Sequence, residues 1–397
     1  MEHIKNKILK LSKSFFEDAV AWRRHIHANP ELSMQEFKTS AFVAERLKEM
    51  GIPIQTGIAK TGVVGLIEGN NPEKKAIALR ADMDALPIIE VNEVDYKSKN
   101  HGVMHACGHD VHTTSLLGTA RILNELKNEF EGTVKLFFQP SEEQYPGGAI
   151  MMINEGVMEN PRPAHAFGQH VYPELEAGKV GLKSGQYMAS TDEVYLTVHG
   201  KGGHGAQPSR NIDPVVIAAY IIVALQQIVS RNASPDVATV LSFGRIIGEG
   251  QMNIIPNQVK IDGTLRTFDE AWRKDARKKI TKMAQSIAEG MGGRCDVRIV
   301  EGYPYVFNDP EITDKVKSWA IELLGEENVV DLPIRMTAED FSYFAKEVPS
   351  CFYRLGNANN ERGINSSLHT PTFDVDENCL ETGMGLMAWV AIKSLQE

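Results

Sequence analysis

Residues 104–143, MHACGHDVHTTSLLGTARILNELKNEFEGTVKLFFQPSEE, carry a ligand-rich turn, a helix, a strand and a second acidic turn in that order. In the first turn, Met104–His112, His105, Cys107, His109, Asp110 and His112 crowd together. Thiolate, imidazole and carboxylate are the side chains that bind transition metals. Cys107 and His109 stand two apart, so an extended segment points them to one side. Asp110, followed by Val111, Thr113, Thr114, Leu116 and Leu117, reads as an N-cap and then a helix over 113–127. A helix N-terminus also stabilises a nearby thiolate. A strand over 132–138 then runs into Glu142-Glu143.

The same texture extends outward in both directions. Upstream, residues 1–50 read as helical, with a break at Asn29-Pro30 and a second helix over 34–50 that ends at Gly51. Strands over 62–68 and 76–80 follow, and the latter leads into Asp82-Met83-Asp84. Downstream come a helix over 149–155 and a strand over 164–170 that ends in His170. Alternating strands and helices predict an α/β fold with parallel strands. Acidic or His residues stand just past three strands, where open α/β sheets build their sites.

From about Ser184 the pattern changes. A strand over 193–199, a helix over 213–229 with Asp213 as N-cap, strands over 237–247 and 253–267, a helix over 269–289 and a strand over 296–300 give the order β-α-β-β-α-β. That is the ferredoxin-like arrangement. After Gly302 the α/β texture returns, with helices over 309–324 and 377–394 and a strand over 351–355. The expected organisation is one domain made of 1–183 and 302–397, with 184–301 inserted.

The chain has 397 residues, enough for two domains, and a formal net charge of −10. No basic run points to nucleic acid. The N-terminus reads as an amphipathic helix rather than a signal peptide. The apolar run Val215–Leu225 is shorter than the roughly 20 residues that cross a bilayer. No membrane or nucleic-acid partner is therefore expected. The four cysteines, with no secretion signal, read as reduced thiols in a cytoplasmic protein.

Each chemical feature has a plain structural alternative. Cys107 beside His109 can be a buried thiol next to a packing histidine, but the close spacing and acidic surroundings favour metal. His112 is either a third ligand or a supporting group on the first helical turn, and the second is favoured. Adjacent Glu142 and Glu143 diverge, so one can bind metal while the other moves protons; alone, the pair also describes a solvated turn. Asp82 and Asp84 can ligate or orient ligating histidines. Taken singly, His170 and His369 are weak signals, and His25 and His27 read as structural. The turn Gly200–Pro208 sets four glycines around His204 without a phosphate-loop pattern. Asn253 and Arg266 flank a strand. Arg266 can clamp a carboxylate or sit on the surface, and spacing alone does not decide.

Eight segments in order carry a resemblance: RADMDALP (80–87), MHACGHDVH (104–112), FQPSEE (138–143), GQHV (168–171), GKGGHGAQP (200–208), NIIPNQ (253–258), AEDFS (338–342) and LHTPTFDVDE (368–377). Together they resemble the amidohydrolase branch of the aminoacylase/carboxypeptidase-type dinuclear metallopeptidases, which includes N-acyl-amino-acid amidohydrolases, hippurate hydrolases and auxin-conjugate hydrolases. The resemblance implies a zinc-exopeptidase-like catalytic domain with a mainly parallel central sheet and an inserted ferredoxin-like lid and dimerisation domain. It implies two divalent metal ions held by Cys107, His109, Glu143, His170 and His369, with Glu142 as catalytic base. It assigns His204 to the tetrahedral intermediate, often across a homodimer, and Asn253 and Arg266 to the substrate carboxylate. Asp82, Asp84, Asp110 and His112 fall to supporting positions.

The implied reaction is hydrolysis of an N-acyl amino acid. A metallo-carboxypeptidase or dipeptidase is the alternative, and a non-catalytic metal-binding relative a remote one. Many relatives in other branches have His at Asp82 and a bridging Asp at Cys107. A bridging thiolate is softer and leaves the metal open among zinc, manganese, cobalt and nickel. Branch members often have Asp at His165 and an apolar residue at Gln169, which points to an altered pocket beside His170.

Overall fold

A computed structural model describes residues 1–397. The chain divides into two compact units. One comprises Met1–Tyr187, Phe307–Pro333 and Asp340–Glu397; the other comprises Met188–Val306 with Ile334–Glu339. Residues Ile334–Glu339, expected with the flanking segments, belong instead to the second unit. The Ala189 N–H donates to the Arg335 carbonyl at 3.0 Å, and Met188 forms a β-bridge with Arg335.

The first unit is built on an eight-stranded sheet. Its order is Ile54–Ile58, Gly62–Glu68, Thr133–Gln139, Ala76–Asp82, His165–Glu176, Ser350–Ala358, Val180–Leu182 and Val329–Asp331. The four central strands, from Thr133–Gln139 to Ser350–Ala358, run parallel, and antiparallel pairs occur on both sides of them. Every residue of Ala76–Asp82 and of Thr133–Gln139 is buried. Strands covered on both faces read as continuous apolar runs, and Arg80 and Lys135 are the exceptions inside them. The Lys135 ammonium ends on the carbonyls of Glu159 (2.6 Å) and Pro161 (3.1 Å), and burial lowers its pKa to about 8.

Helix His109–Glu125 makes the crossover between the parallel neighbours Ala76–Asp82 and Thr133–Gln139. It packs on the C-terminal helix Cys379–Gln396, and fourteen residues of each are buried. Small residues set their close approach. A Cβ added at Gly118 would lie 2.7 Å from the Met384 sulfur, so an alanine there would require the Met384 side chain to shift. Strand register then aligns the site. Asp82 pairs with Gln139, Arg80 with Gly168, and His170 with Arg354. Asp82 and Gln139, at the C-terminal ends of their strands, are thereby brought level with His170, midway along His165–Glu176.

Local differences from the expected elements have local causes. The crossover helix starts at His109, not after Asp110. Gly108 takes φ 80° and occupies the cap position, and Asp110 turns inward to Arg23 and His27 instead of capping. The third helix begins at Phe37 rather than Met34, because Met34 sits at φ 63°. Strand Ile54–Ile58, on the sheet edge and largely exposed, lacks an apolar pattern. The segment expected as one strand over 253–267 splits at Pro256. Ile254–Ile255 pairs with Gly203–His204, and Gln258–Thr267 joins the main sheet of its unit.

The second unit has the β-α-β-β-α-β order. Its antiparallel sheet runs Thr239–Ile247, Gln258–Thr267, Asp192–His199 and Arg294–Glu301. Asp213 caps helix Pro214–Gln227 by accepting the Val215 N–H at 2.8 Å, and Asp269 caps Glu270–Gly290 by accepting the Trp272 N–H at 2.7 Å. Both helices bury their apolar faces against the sheet. Buried Arg273 ties the unit together through Asp192 (2.7 Å) and the carbonyls of Thr191 and Gly302. Continued by a π-turn, the first helix reaches Pro214–Asn232, long and apolar enough by composition to cross a membrane. The 11-residue run read from sequence did not show this length. Ile217, Ile221 and Leu225 nevertheless lie in the core of the unit, while Val216, Tyr220 and Val223 are exposed.

Candidate metal centre

The turn at Gly108 builds the first part of the site. A Cβ added to Gly108 would lie 2.4 Å from Val171 Cγ2, so both its φ and its surroundings demand glycine. Cys107 and His109 therefore converge through a sharp turn, not through the alternation of an extended strand. Cys107 Sγ lies 3.4 Å from His170 Nε2 and 3.3 Å from His369 Nε2. His170 Nδ1 donates to the Val171 carbonyl at 2.7 Å, which turns Nε2 toward the sulfur. His369 is docked by its own N–H on the Ala106 carbonyl at 2.8 Å, and its ring stays half-exposed.

The second part comes from the strand ends. Asp84 is buried and accepts four hydrogen bonds. Glu142 N–H (3.0 Å) and His109 Nδ1 (3.2 Å) reach one oxygen; Glu143 N–H (3.0 Å) and Ser33 Oγ (2.6 Å) reach the other. One carboxylate thus fixes both glutamates and the His109 tautomer. His109 Nε2 is left 3.9 Å from Glu143 Oε1. Asp82 is held by Arg80 at 2.5 Å and by His112 Nδ1 at 2.6 Å. His112 Nε2 accepts the Val171 N–H at 2.8 Å, so both of its ring nitrogens are engaged and neither is free to ligate. Asp110 supports the turn from behind, accepting from Arg23 Nε and His27 Nδ1, both at 2.8 Å. His105 is buried, with no hydrogen bond to either ring nitrogen, and burial lowers its pKa to about 3.

The chemistry of this cluster fits a cation. His109 Nε2 and Glu143 Oε1 are buried and make no hydrogen bond, although the glutamate oxygen lies 3.1 Å from His369 Nε2. Native proteins seldom leave such atoms unpaired. Donor atoms of Cys107, His109 and His170 lie within 4.8 Å of one another, as do those of Cys107, Glu143 and His369. Sulfur is common to both groups. The helix-terminus expectation for Cys107 is overturned in the metal-free chain. Burial, then Glu143, Glu142 and Asp82, push the thiol well above its ordinary pKa, and these full charges outweigh the partial charge of a helix end. A divalent cation reverses that balance.

The site has partners that sequence reading did not single out. Arg80 lies in an apolar strand, and a buried arginine must be paired; it also donates to Gln139 at 2.7 Å and Asp340 at 2.7 Å. Glu36 is buried and accepts the Ser141 N–H at 2.8 Å, and nothing in its sequence neighbourhood announces that. Gln169 does not face the pocket beside His170. It points to the other side of its strand, where its carbonyl oxygen is 3.2 Å from the Tyr353 hydroxyl.

His204, Asn253 and Arg266 lie in the second unit. His204 pairs with Ile254, and the Gly205 N–H donates to the Asn253 carbonyl at 2.8 Å, so these two residues are neighbours. Arg266 stands at the far end of Gln258–Thr267, where Nε donates to Thr264 Oγ1 at 3.1 Å and burial lowers its pKa. Eight residues of strand between Gln258 and Arg266 span roughly 26 Å. Arg266 and Gln258 thus stand at opposite ends of that strand.

Comparison with known proteins places this arrangement. Residues 78–393 match the family described as "Peptidase family M20/M25/M40". Thermostable carboxypeptidase 2 of Saccharolobus solfataricus is 40% identical over 397 residues, covering 99% of this chain and 98% of that one. An N-acyl-L-amino acid amidohydrolase of Geobacillus stearothermophilus is 42% identical over 307 residues, covering 77% and 82%. Among solved structures, a dinuclear metal-binding peptidase from Bacillus subtilis superposes with a TM-score of 0.83 at 33% identity, covering 97% of this chain and 99% of that one.

Proposed function

This chain belongs to peptidase family M20/M25/M40, and on that premise we propose that it hydrolyses the amide bond of N-acyl amino acids of the acetyl or benzoyl type, releasing a carboxylic acid and a free amino acid. The observation that carries this reading is the cluster around Cys107, with Glu142 beside it on a clamped backbone. Cys107, His109, Glu143, His170 and His369 would hold two divalent cations, drawn from zinc, manganese, cobalt and nickel. When bound, these polarise the scissile carbonyl and lower the pKa of water. Glu142 takes the proton of the attacking water on its carboxylate and delivers it to the leaving nitrogen. Asp84 keeps the His109 proton on Nδ1, and His112 keeps Asp82 in place.

Arg266 and Asn253 anchor the free carboxylate of the substrate, and His204 donates to the developing oxyanion. The span between Arg266 and the His204/Asn253 pair supports assembly of the full set from two copies. A homodimer through the second unit follows. Its edge strand Thr239–Ile247 has a free outer side with Ile246 exposed, and the adjacent helix exposes Val216, Tyr220 and Val223. The protein acts in the cytoplasm on a small-molecule substrate.

A panel of N-acetyl, N-benzoyl and longer-acyl amino acids, their methyl esters and free-amine dipeptides tests the reading. The expected result is metal-dependent release of amino acid from N-acyl substrates with a free carboxylate. Preference for free-amine peptides would move the assignment to a dipeptidase. Folded, metal-loaded Glu142→Ala should keep its metal and lose turnover by orders of magnitude.

A further inference from the structure

Three consecutive backbone N–H groups in the turn after strand Thr133–Gln139 end on buried carboxylates. Ser141 donates to Glu36 Oε1 at 2.8 Å, Glu142 to Asp84 Oδ1 at 3.0 Å and Glu143 to Asp84 Oδ2 at 3.0 Å. Ser141 has φ 52°, the left-handed region that a residue with a Cβ adopts only when its surroundings hold it there. Successive N–H groups turned to one side form an anion-binding nest. Here the anions are the chain's own side chains. Glu36 is fully buried, and it also accepts the Met34 N–H at 3.0 Å and the Thr61 hydroxyl at 2.7 Å. It comes from a segment 105 residues earlier, beside Ser33, which donates to Asp84 at 2.6 Å.

We infer that Glu36 is a positioning residue for Glu142: by holding Ser141 in its left-handed conformation, it sets the direction in which the Glu142 carboxylate leaves the backbone. This rests on the assignment of Glu142 as proton carrier. Asp84 grips Glu142 and Glu143 together. Glu36 acts on the residue before both, so its loss falls first on Glu142. The Glu143 N–H stays on Asp84, and the other four candidate metal-binding residues belong to other segments of the chain.

The bonding pattern dictates the test. A glutamine at 36 can accept both N–H groups on its oxygen and donate to Thr61 Oγ1, because a hydroxyl turns freely. An aspartate is one methylene too short. Full-length, metal-loaded E36A, E36D and E36Q are compared with wild type and E142A for kcat and KM on an N-acyl amino acid, for bound metal by elemental analysis, and for melting temperature. In E36A and E36D, kcat should fall about 100-fold, as for a catalytic group displaced by about 1 Å, with KM and metal content close to wild type. E36Q should stay near the wild-type kcat. Wild-type kcat in folded E36A overturns the inference, as does a kcat loss that merely follows metal loss. So does an E36Q as impaired as E36A. If E36A does not fold, E36Q alone decides, and a large kcat loss in it overturns the role. Failure of the functional assignment looks different: either wild type cleaves no N-acyl amino acid, or E142A retains turnover.

Discussion

Replacing Asp84 with asparagine tests the architecture of the site through a change of one heavy atom. Both Asp84 oxygens act purely as acceptors, each for two donors. Burial opposes its charge, but the His109 and Ser33 hydrogen bonds and the Glu143 N–H hold the carboxyl below its ordinary pKa, so it is ionised at neutral pH. Asparagine offers one oxygen and one NH2. In one orientation the NH2 faces the Glu143 N–H and Ser33, whose hydroxyl can turn away. In the other it faces the Glu142 N–H and His109 Nδ1. His109 can yield only by giving up its Nδ1 proton, which leaves Nε2, the nitrogen that faces Glu143, as its N–H. Either way one buried backbone N–H loses its acceptor, at a cost of about 1–3 kcal/mol, and the remaining bonds lose their charge assistance. A total of about 2–4 kcal/mol is expected. Denaturant titration of the chelator-treated variant measures it without the linkage that bound metal adds. Metal affinity, titrated separately, should drop about 10–100-fold, the usual effect of losing a partner behind a ligand. An Asp84→Asn protein with wild-type midpoint and wild-type metal affinity would refute the reasoning.

Three further expectations follow from the same geometry. In the metal-free chain burial lowers His109, but Asp82, Asp84 and Glu143 outweigh it and raise its pKa to about 10 from 6.5. Its stabilising contribution is therefore full below pH 6.5 and is lost as pH rises toward about 10. Metal must displace that proton and the Cys107 thiol proton, so affinity should climb about tenfold or more per pH unit from roughly pH 6 to 9; a flat titration contradicts this. Arg23→Met leaves Asp110 buried without its main cation and should cost about 3–5 kcal/mol in thermal or urea unfolding; an unchanged midpoint contradicts it. Gly108→Ala drives a methyl into Val171 and strains φ 80°, and should sharply reduce metal content measured in the folded protein.

The parts of the site legible in sequence were those whose chemistry is unusual for their place. Cys107 with His109 stand at the turn that opens a helix, and Glu142 with Glu143 just past a strand end, where bulk packing offers no reason for them. The α/β order and the inserted β-α-β-β-α-β unit were equally readable, because buried strands and capped helices leave strong local patterns, as at Asp213 and Asp269. What stayed hidden was set by distant contacts. Asp110 looks like a cap, but Arg23 and His27, more than eighty residues away, draw it inward. Glu36 falls in the helix expected over 34–50 and reads as one of its polar residues until the fold brings Ser141 to it. Pro256 divides one apparent strand into two because it has no N–H to give the sheet. The short segment Ile334–Glu339 changes units through one bridge at Arg335 that no local pattern marks.

The most direct measurement is a metal titration of the chelator-stripped chain, read by bound metal and by N-acyl amino acid hydrolysis in the same samples. The account predicts no turnover without metal, uptake that saturates at two ions per chain, and activity that rises with that uptake. Turnover that persists in the stripped protein, or a folded protein that takes up no metal, would contradict it.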